Sequence, residues 1–503
     1  MRIKLTILSI REHPFNLGTV VKRIPPTALE KPNLEVSQKL ICMAKVQNFS
    51  GISPDLPFTE FDFYELYRRT FATSELGKIR KRLPLREMAE NFGLISKSMR
   101  AKKGRKTYFT PEGKVALMFL KMYTGLSSPK LMEHLNGNVH YQLFCDLRID
   151  PMHPLTNYKL LDDVISELAR GLKIQQQQEI LARAWKPYMK DLDTMYTDAT
   201  CYESEMRYPT DPKLLWEGIE KSYEIMCTLS AKLNVHRPRT KYVDVEKANL
   251  SYRKRRRHTK VQTRKLTRRL PNLLGKILKE TRTLERENAG AEKFLTARQK
   301  SDIEIITRMH RQQKAHFENN NPRESVKDRI VSISKPYVRP IVRGKEVKSV
   351  EFGAKCNNIQ VDGLSFIEKL SFNAFNEGTR LPHCLKMHRK LFGVDAKKVG
   401  GDAGYAGSAN REYCKDRGIQ TSFVKRGRPS LEKKENDIIR NELARVRATR
   451  MEGSFGTQKE HYGLKRIKAR TKLTEILYIF FGIHTANVVQ LVRREVNEIA
   501  QAV

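Results

Sequence analysis

The chain has 503 residues, with 95 Lys plus Arg against 56 Asp plus Glu, a formal net charge of +39 at neutral pH. A hydrophobic fraction of 39% over a length suited to about two to four domains is enough to build ordinary cores, which excludes a disordered tail protein. Such a surplus of positive charge points to a polyanionic partner, most often nucleic-acid phosphates whose counterions are released on binding. A ribosomal-type scaffold and a membrane-surface protein are the other uses of such a balance.

Met1 to Ile10 is apolar but is interrupted by Arg2 and Lys4, too short for the core of a secretory signal. The stretch closest to a membrane span, Ile476 to Val489, contains His484 and Asn487 and falls short of the roughly 18 apolar residues required. The seven cysteines lie far apart with no CxxC pair, as expected of reduced thiols in a cytoplasmic, nucleoid-associated protein. His383 and His388 flank Cys384, but no second ligand pair accompanies them.

Residues 1–60 carry six prolines and no sustained period, and their role is open. From Phe61 to about Lys190 the pattern is helical. Thr110 and Pro111 read as the N-cap and first turn of a helix whose apolar face is Val115, Leu117, Met118, Leu120 and Met122 and whose stop is Gly125. Ser128 and Pro129 open a second helix with Leu131, Met132 and Leu135. The pair is compatible with a helix-turn-helix and equally with an ordinary helical hairpin.

Thr194 to Tyr202 alternates as a strand, with Met195, Thr197, Ala199 and Cys201 on one face and Tyr196, Asp198, Thr200 and Tyr202 on the other. Residues from about Leu214 to Phe317 are rich in helix formers and read as a long helical insertion. Within it, Ser251 to Leu270 holds ten basic residues and no acid, including Arg255, Arg256 and Arg257. Such a run repels itself unless something neutralises it, which favours phosphate contact over a merely solvated face. Strands are expected at Ile330 to Ile333, Val347 to Phe352 and Asn358 to Phe366, then a helix from about Gly378 to Leu391, a short strand ending at Asp402, and a helix from Ala409 to Asp416. This order implies a mixed α/β sheet.

Three acids stand out: Asp198 within a strand, Asp402 at a strand end, and Glu452 on a late helix. Carboxylates without nitrogen or sulfur partners suit hard cations such as Mg²⁺, and two such ions about 3.5 to 4 Å apart would clamp an in-line phosphoryl displacement. Phe455, Gly456 and Lys459 fall on the helical face of Glu452, and Lys459 is placed to grip phosphates beside a scissile bond. Gly453 and Gly456 cost a helix interior about 1 kcal/mol each, which close backbone approach would explain. Downstream, Lys465, Arg466, Lys468, Arg470 and Lys472 extend the basic face, and Ile476 to Val489 is apolar enough to dock on the sheet.

At these residues the chain resembles the DDE transposases of bacterial insertion sequences, in the large group whose families are numbered four and five. The resemblance is carried by D-A-T at Asp198, G-D-A-G-Y at Gly401 to Tyr405 and E-G-S-F-G-T-Q-K at Glu452 to Lys459. It extends to R-G-K at Arg343 to Lys345, to E-F-G-A-K at Glu351 to Lys355, and to the helical segment from about Phe71 to Leu147. It implies an RNase H-like core over residues 191–213 and 326–490, with Asp198 on the first strand, Asp402 ending the fourth and Glu452 on a following helix. A helical DNA-binding domain over 61–190, a basic insertion over 214–325 and a tail over 491–503 complete the expected organisation. The same resemblance implies that the triad binds two Mg²⁺, with Mn²⁺ able to substitute. Water frees a 3′-OH at the element's end, and that hydroxyl attacks target DNA. Terminal inverted repeats are the expected partner, and joining two ends implies a homodimer or larger assembly.

Related enzymes often carry Tyr seven and Arg four residues before the Glu and Lys seven after it. Here Lys459 agrees, but the earlier positions are Arg445 and Ala448, so Arg445, Arg447 and Arg450 are the candidates for the phosphate-gripping arginine, with Lys345 as a further DNA contact. Two alternatives share these residues: a nuclease with the same core that joins nothing, and a DNA-binding remnant that no longer cleaves.

Overall fold

The computed structural model describes residues 60–95, 108–318, 326–342, 350–424 and 433–502. Lys345, the R-G-K stretch and residues 1–59 lie outside the described residues.

The first part is helical: α1 (Glu60–Thr73), α2 (Glu75–Arg82), α3 (Leu85–Asn91), α4 (Pro111–Thr124), α5 (Ser128–Gly137), α6 (Val139–Phe144), α7 (Lys159–Gly171) and α8 (Ile174–Trp185). Helix α4 starts and stops as its sequence dictates. The Thr110 hydroxyl accepts from the Gly113 amide at 3.0 Å, Pro111 fills the first turn, and Gly125 ends the helix in the left-handed region at φ 65°. Every residue from Val115 to Met122 is buried, and α4 packs on α3 and on the last helix of the chain. That burial is the geometry of a core helix and favours the ordinary helical pair over a helix-turn-helix.

Strand β1 (Thr194–Ser204) follows, and then the insertion: α9 (Asp211–Lys232), α10 (Tyr242–Lys254), α11 (Lys260–Glu287) and α12 (Ala297–Glu318). Thr259 and Gln262 form a reciprocal capping box that starts α11. The insertion has its own apolar cluster, built on Leu215, Ile219, Leu274, Ile277, Ile306 and Met309. Ile330 and Ile333 belong to that cluster and form no strand, contrary to the expectation from sequence. The Gln312 side chain accepts from the Ile330 amide and donates to the Lys327 and Asp328 carbonyls, which satisfies this backbone without a ladder.

The remaining elements are β2 (Arg339–Val342), β3 (Val350–Val361), β4 (Leu364–Ser371), α13 (Leu381–Phe392), β5 (Lys398–Gly400), α14 (Ser408–Lys415), β6 (Gln420–Thr421), α15 (Lys433–His461), β7 (Arg466–Ile467) and α16 (Lys472–Ala502). The single strand expected over Asn358 to Phe366 is instead a hairpin. Asp362 and Gly363 both have positive φ, 46° and 78°, the requirement of a tight two-residue turn, so this Asp-Gly pair reverses the chain. The short β2 also makes the strand before Asp402 the fifth in the chain rather than the fourth.

The sheet runs β2-β3-β1-β5-β6, with β4 beside β3 and β7 beside β1. Strands β1, β3 and β4 are antiparallel, whereas β5, β6 and β7 run parallel to β1. Strand β1 is central, and the two faces read from its alternation are separately covered. Thr197 meets Cys384 of α13 at 3.5 Å, while the Tyr202 hydroxyl donates to Gln458 of α15 on the opposite side. The sheet and α2–α8 contribute to one continuous apolar cluster, to which α16 adds Phe480, Phe481 and Ile483. Helix α16 is long and apolar enough to span a membrane, but 83% of its apolar window is buried inside the protein, the signature of a core helix.

Candidate active site

The site is organised by the contact of α15 with β1. Leu443, Met451 and Phe455 pack with Tyr196, so positions 443, 447, 451 and 455 of α15, four residues apart, define the helix face turned to the sheet. Gly400 on β5 makes this approach possible: a Cβ there would lie 2.4 Å from the Tyr196 ring and 3.2 Å from the Leu443 carbonyl. Between the two apolar contacts, Arg447 reaches β1 and its Nη1 lies 2.9 Å from Oδ2 of Asp198. The other carboxylate oxygen of Asp198 accepts from the Ala199 amide at 2.7 Å.

Asp402 comes to the same place because of the register. Tyr196 of β1 is level with Gly400 of the parallel β5, so Asp198 and Asp402 each lie two residues further along neighbouring paths. Asp402 leaves the strand in extended conformation and caps a short 3-10 turn, Ala403–Tyr405, with its Oδ1 accepting from the Gly404 amide at 2.9 Å. This turn is held on several sides. Ser422 accepts from the Gly401 amide at 2.9 Å, the buried Tyr405 hydroxyl donates to Asn357 of β3, and the Asn410 amide donates to the Gly378 and Tyr405 carbonyls. Gly378 is required at its position, since a Cβ would lie 2.4 Å from the Gly404 carbonyl.

The electrostatics identify one further residue. Burial raises the Asp198 carboxyl above its ordinary value, the Ala199 amide and Arg447 oppose that, and the charges of Asp402 and Glu377 raise it further. Glu377 is itself paired with Lys355 of β3 at 2.7 Å. Sequence reasoning singles out neither Glu377 nor the Arg447–Asp198 pair, although Lys355 closes the E-F-G-A-K motif just across the sheet.

The other expected site residues lie elsewhere. Glu452 is exposed, one position past the buried Met451. Phe455 does not share its surroundings, being buried under Tyr196. Gly453 and Gly456 face open space, where a Cβ would meet nothing within 4 Å, so close backbone approach does not account for them within this chain. Lys459 has its Nζ 6.0 Å from the Tyr202 ring centre. Arg445 and Arg450 are exposed on α15, and Arg255, Arg256 and Arg257 are exposed in the turn between α10 and α11. Among the described residues no three His, Cys, Asp or Glu side chains stand close enough together to hold one metal ion. Asp198 and Asp402 offer the oxygen donors a hard cation takes, but Glu452 does not complete a three-carboxylate set.

Residues 399–487 match the family model described as Transposase DDE domain, a stretch that runs from β5 through Asp402, Glu452 and Lys459 into α16. Residues 65–164, from α1 into α7, match a second model, Transposase domain (DUF772). The two matched stretches together support a DDE transposase of an insertion sequence. Comparison with curated proteins and with solved structures returns no match. Asp198 lies outside both matched stretches, and it is the sheet register that ties it to the DDE domain.

Proposed function

We propose that this DDE transposase binds the terminal inverted repeats of its insertion sequence, cleaves the DNA to leave 3′-OH ends and joins them to target DNA. The observation that carries the reading is the juxtaposition of Asp198, within β1, and Asp402, two residues past the end of the parallel β5, beneath an arginine-bearing helix. The strand order, with an antiparallel β1-β3-β4 set and parallel β5 and β6 on the other side of β1, supports an RNase H-like core. In the first reaction water attacks the phosphorus and the P–O3′ bond breaks, the 3′ oxygen leaving as a hydroxyl. In the second that hydroxyl attacks a target phosphodiester and displaces its 3′ oxygen. Asp198 and Asp402, with Glu452 brought in from the flank of α15, would hold two divalent cations, Mg²⁺ or Mn²⁺, which supply charge stabilisation at the attacking and leaving oxygens.

The protein's own side chains do the positioning. Arg447 neutralises Asp198 in the absence of DNA and is the best-placed candidate to grip the scissile phosphate, since its guanidinium already stands at the Asp198 carboxylate. Lys459, Arg445 and Arg450 extend the cationic surface of α15, and Arg255 to Arg257, with Lys345, add phosphate contacts. The helices of 61–190 are the proposed recognition domain for the repeats, acting in a homodimer or larger assembly.

The test is to incubate the protein with Mg²⁺, a labelled duplex carrying the sequence that flanks its gene, and a supercoiled target plasmid, with Asp198→Ala and Asp402→Ala in parallel. Label joined covalently to plasmid by the unaltered protein alone is the expected result. Cleavage without joining would make the protein a nuclease. Specific binding with neither reaction would make it a DNA-binding remnant.

A further inference from the structure

A cavity of ~380 Å³ lies in the insertion between α11 and α12, separate from the acidic site and from the basic run at 251–270. Its construction follows from helical spacing. Leu274, Ile277, Leu278 and Leu284 turn one side of α11 into the insertion's core, while Lys279, Arg282 and Arg286, three and four residues apart, share another. Across from them, Arg311 of α12 completes the wall. Gly275 and His310 form the floor, where a Cβ on the glycine would lie 3.1 Å from the imidazole. His310 Nε2 donates to the Pro271 carbonyl at 2.9 Å, since that oxygen can only accept, and burial lowers the His310 pKa, so the ring sits neutral beneath the cations.

Among the described residues none of Lys279, Arg282, Arg286 and Arg311 forms an ion pair and no carboxylate lines the cavity, although Glu285 on the same helix feels the charge of Arg282. Arg282 is instead fixed by a neutral partner, its Nη2 donating to the Thr307 hydroxyl across the cavity at 3.0 Å. Lys279, Arg282, Arg286 and Arg311 are all exposed, and four cations facing one concavity create a local positive potential that attracts an anion. The volume falls at the small end of the ~300 to 1,000 Å³ usual for ligand sites, enough for a nucleotide unit.

We propose that this cavity is a phosphate-binding site for the DNA backbone, distinct from the catalytic carboxylates and from the basic run. It takes the oxygens of a phosphodiester, which Arg282 and Arg311 approach from opposite walls and which Lys279 and Arg286 neutralise. The proposal rests on the reading that DNA is the protein's polyanionic partner, and the tests of the two are separable.

The full-length protein, Arg282→Gln/Arg311→Gln and Lys279→Gln/Arg286→Gln are compared for duplex affinity across a salt series, with thermal melting of each as a check on folding. The second pair breaks no hydrogen bond of the structure and covers the case in which the first fails to fold. Each folded double variant is expected to lose tenfold or more in affinity at low salt, and its log–log salt slope is expected to fall by about 2, one unit for each cation withdrawn from a phosphate. Inorganic pyrophosphate is titrated in parallel by thermal shift. If affinity and slope equal those of the unaltered protein while pyrophosphate stabilises it and neither variant, the cavity binds a free anion and the DNA assignment is overturned. If neither DNA binding nor pyrophosphate stabilisation changes, there is no anion site. An unaltered protein that binds no duplex would refute the DNA reading itself, and the pyrophosphate arm would still decide whether the cavity takes a phosphate.

Discussion

Asp198 shows how one carboxylate is held in tension by its surroundings. Burial, followed by the neighbouring charges of Asp402 and Glu377, favours its neutral form, while an amide and Arg447 favour the anion, and the balance lies above the ordinary value of 3.8. A carboxyl raised in the folded state contributes stability that is fully present below its unfolded pKa and is lost as pH rises through the folded one. At neutral pH the charge is therefore a cost. Asp198→Asn should raise the melting temperature at pH 7 to 8, with the gain shrinking as pH is lowered, while abolishing DNA cleavage. Calorimetry over pH 5 to 8 checks the sign, and a lower melting temperature at pH 7 would contradict it. The acid itself is legible in the sequence, because an Asp in an alternating strand presents one face. Its arginine partner is not: sequence leaves Arg447 as one of three equivalent candidates, and only the contact of α15 with β1 turns position 447 inward and leaves 445 and 450 exposed.

Among the elements, α15 and β5 illustrate a dependence on missing atoms. Gly400 leaves room for Tyr196 and the Leu443 carbonyl, so Gly400→Ala must separate helix from strand or bend the Tyr196 ring out of its place. Overpacking of this kind costs about 1 to 3 kcal/mol. Urea unfolding of Gly400→Ala is expected to show a loss of that size, with DNA cleavage falling further because Arg447 and Asp198 are displaced together. A second element-level device is the buried pair of Lys335 and Glu475 of α16, both almost fully inaccessible, to which the Ser204 hydroxyl also donates at 2.8 Å. Removing one member of a buried pair leaves the other charge uncompensated, so Glu475→Ala should cost about 3 to 5 kcal/mol in denaturant titration, whereas Lys335→Met/Glu475→Leu should cost much less. Of these elements, the caps at Thr110 and Gly125 and the Asp-Gly turn follow local rules. The turn nevertheless reads as part of one strand because Asn358 to Val361 and Leu364 to Phe366 carry apolar residues on both sides of it. The buried segment at 330–333 misleads for a related reason: apolar alternation signals burial, and here burial is against the insertion's helices, with a glutamine side chain taking the place of a neighbouring strand.

For the molecule as a whole, the +39 charge sets the response to salt. Replacing Arg255, Arg256 and Arg257 by Gln should weaken duplex binding uniformly across sequences and lower the salt slope by about 2 to 3, near 0.9 for each phosphate no longer neutralised. Affinity measured between 50 and 200 mM salt checks this, and an unchanged slope would mean that the exposed turn is a solvated face. The split between the apolar cluster of the insertion and the larger one shared by the sheet and helices is only partly visible in the sequence, as a change of texture after Pro212 and again beyond Arg329. The pairing of Ser204 and Lys335 on one carboxylate has a wider consequence. Ser204 closes β1 and Lys335 lies on the returning chain, so the outgoing and incoming ends of more than a hundred residues are clasped by a single side chain of α16. The two ends of the insertion thus meet at one point beside the sheet. Such a unit is a cassette: a change in its length leaves the register of every strand, and with it the place of the carboxylates, untouched.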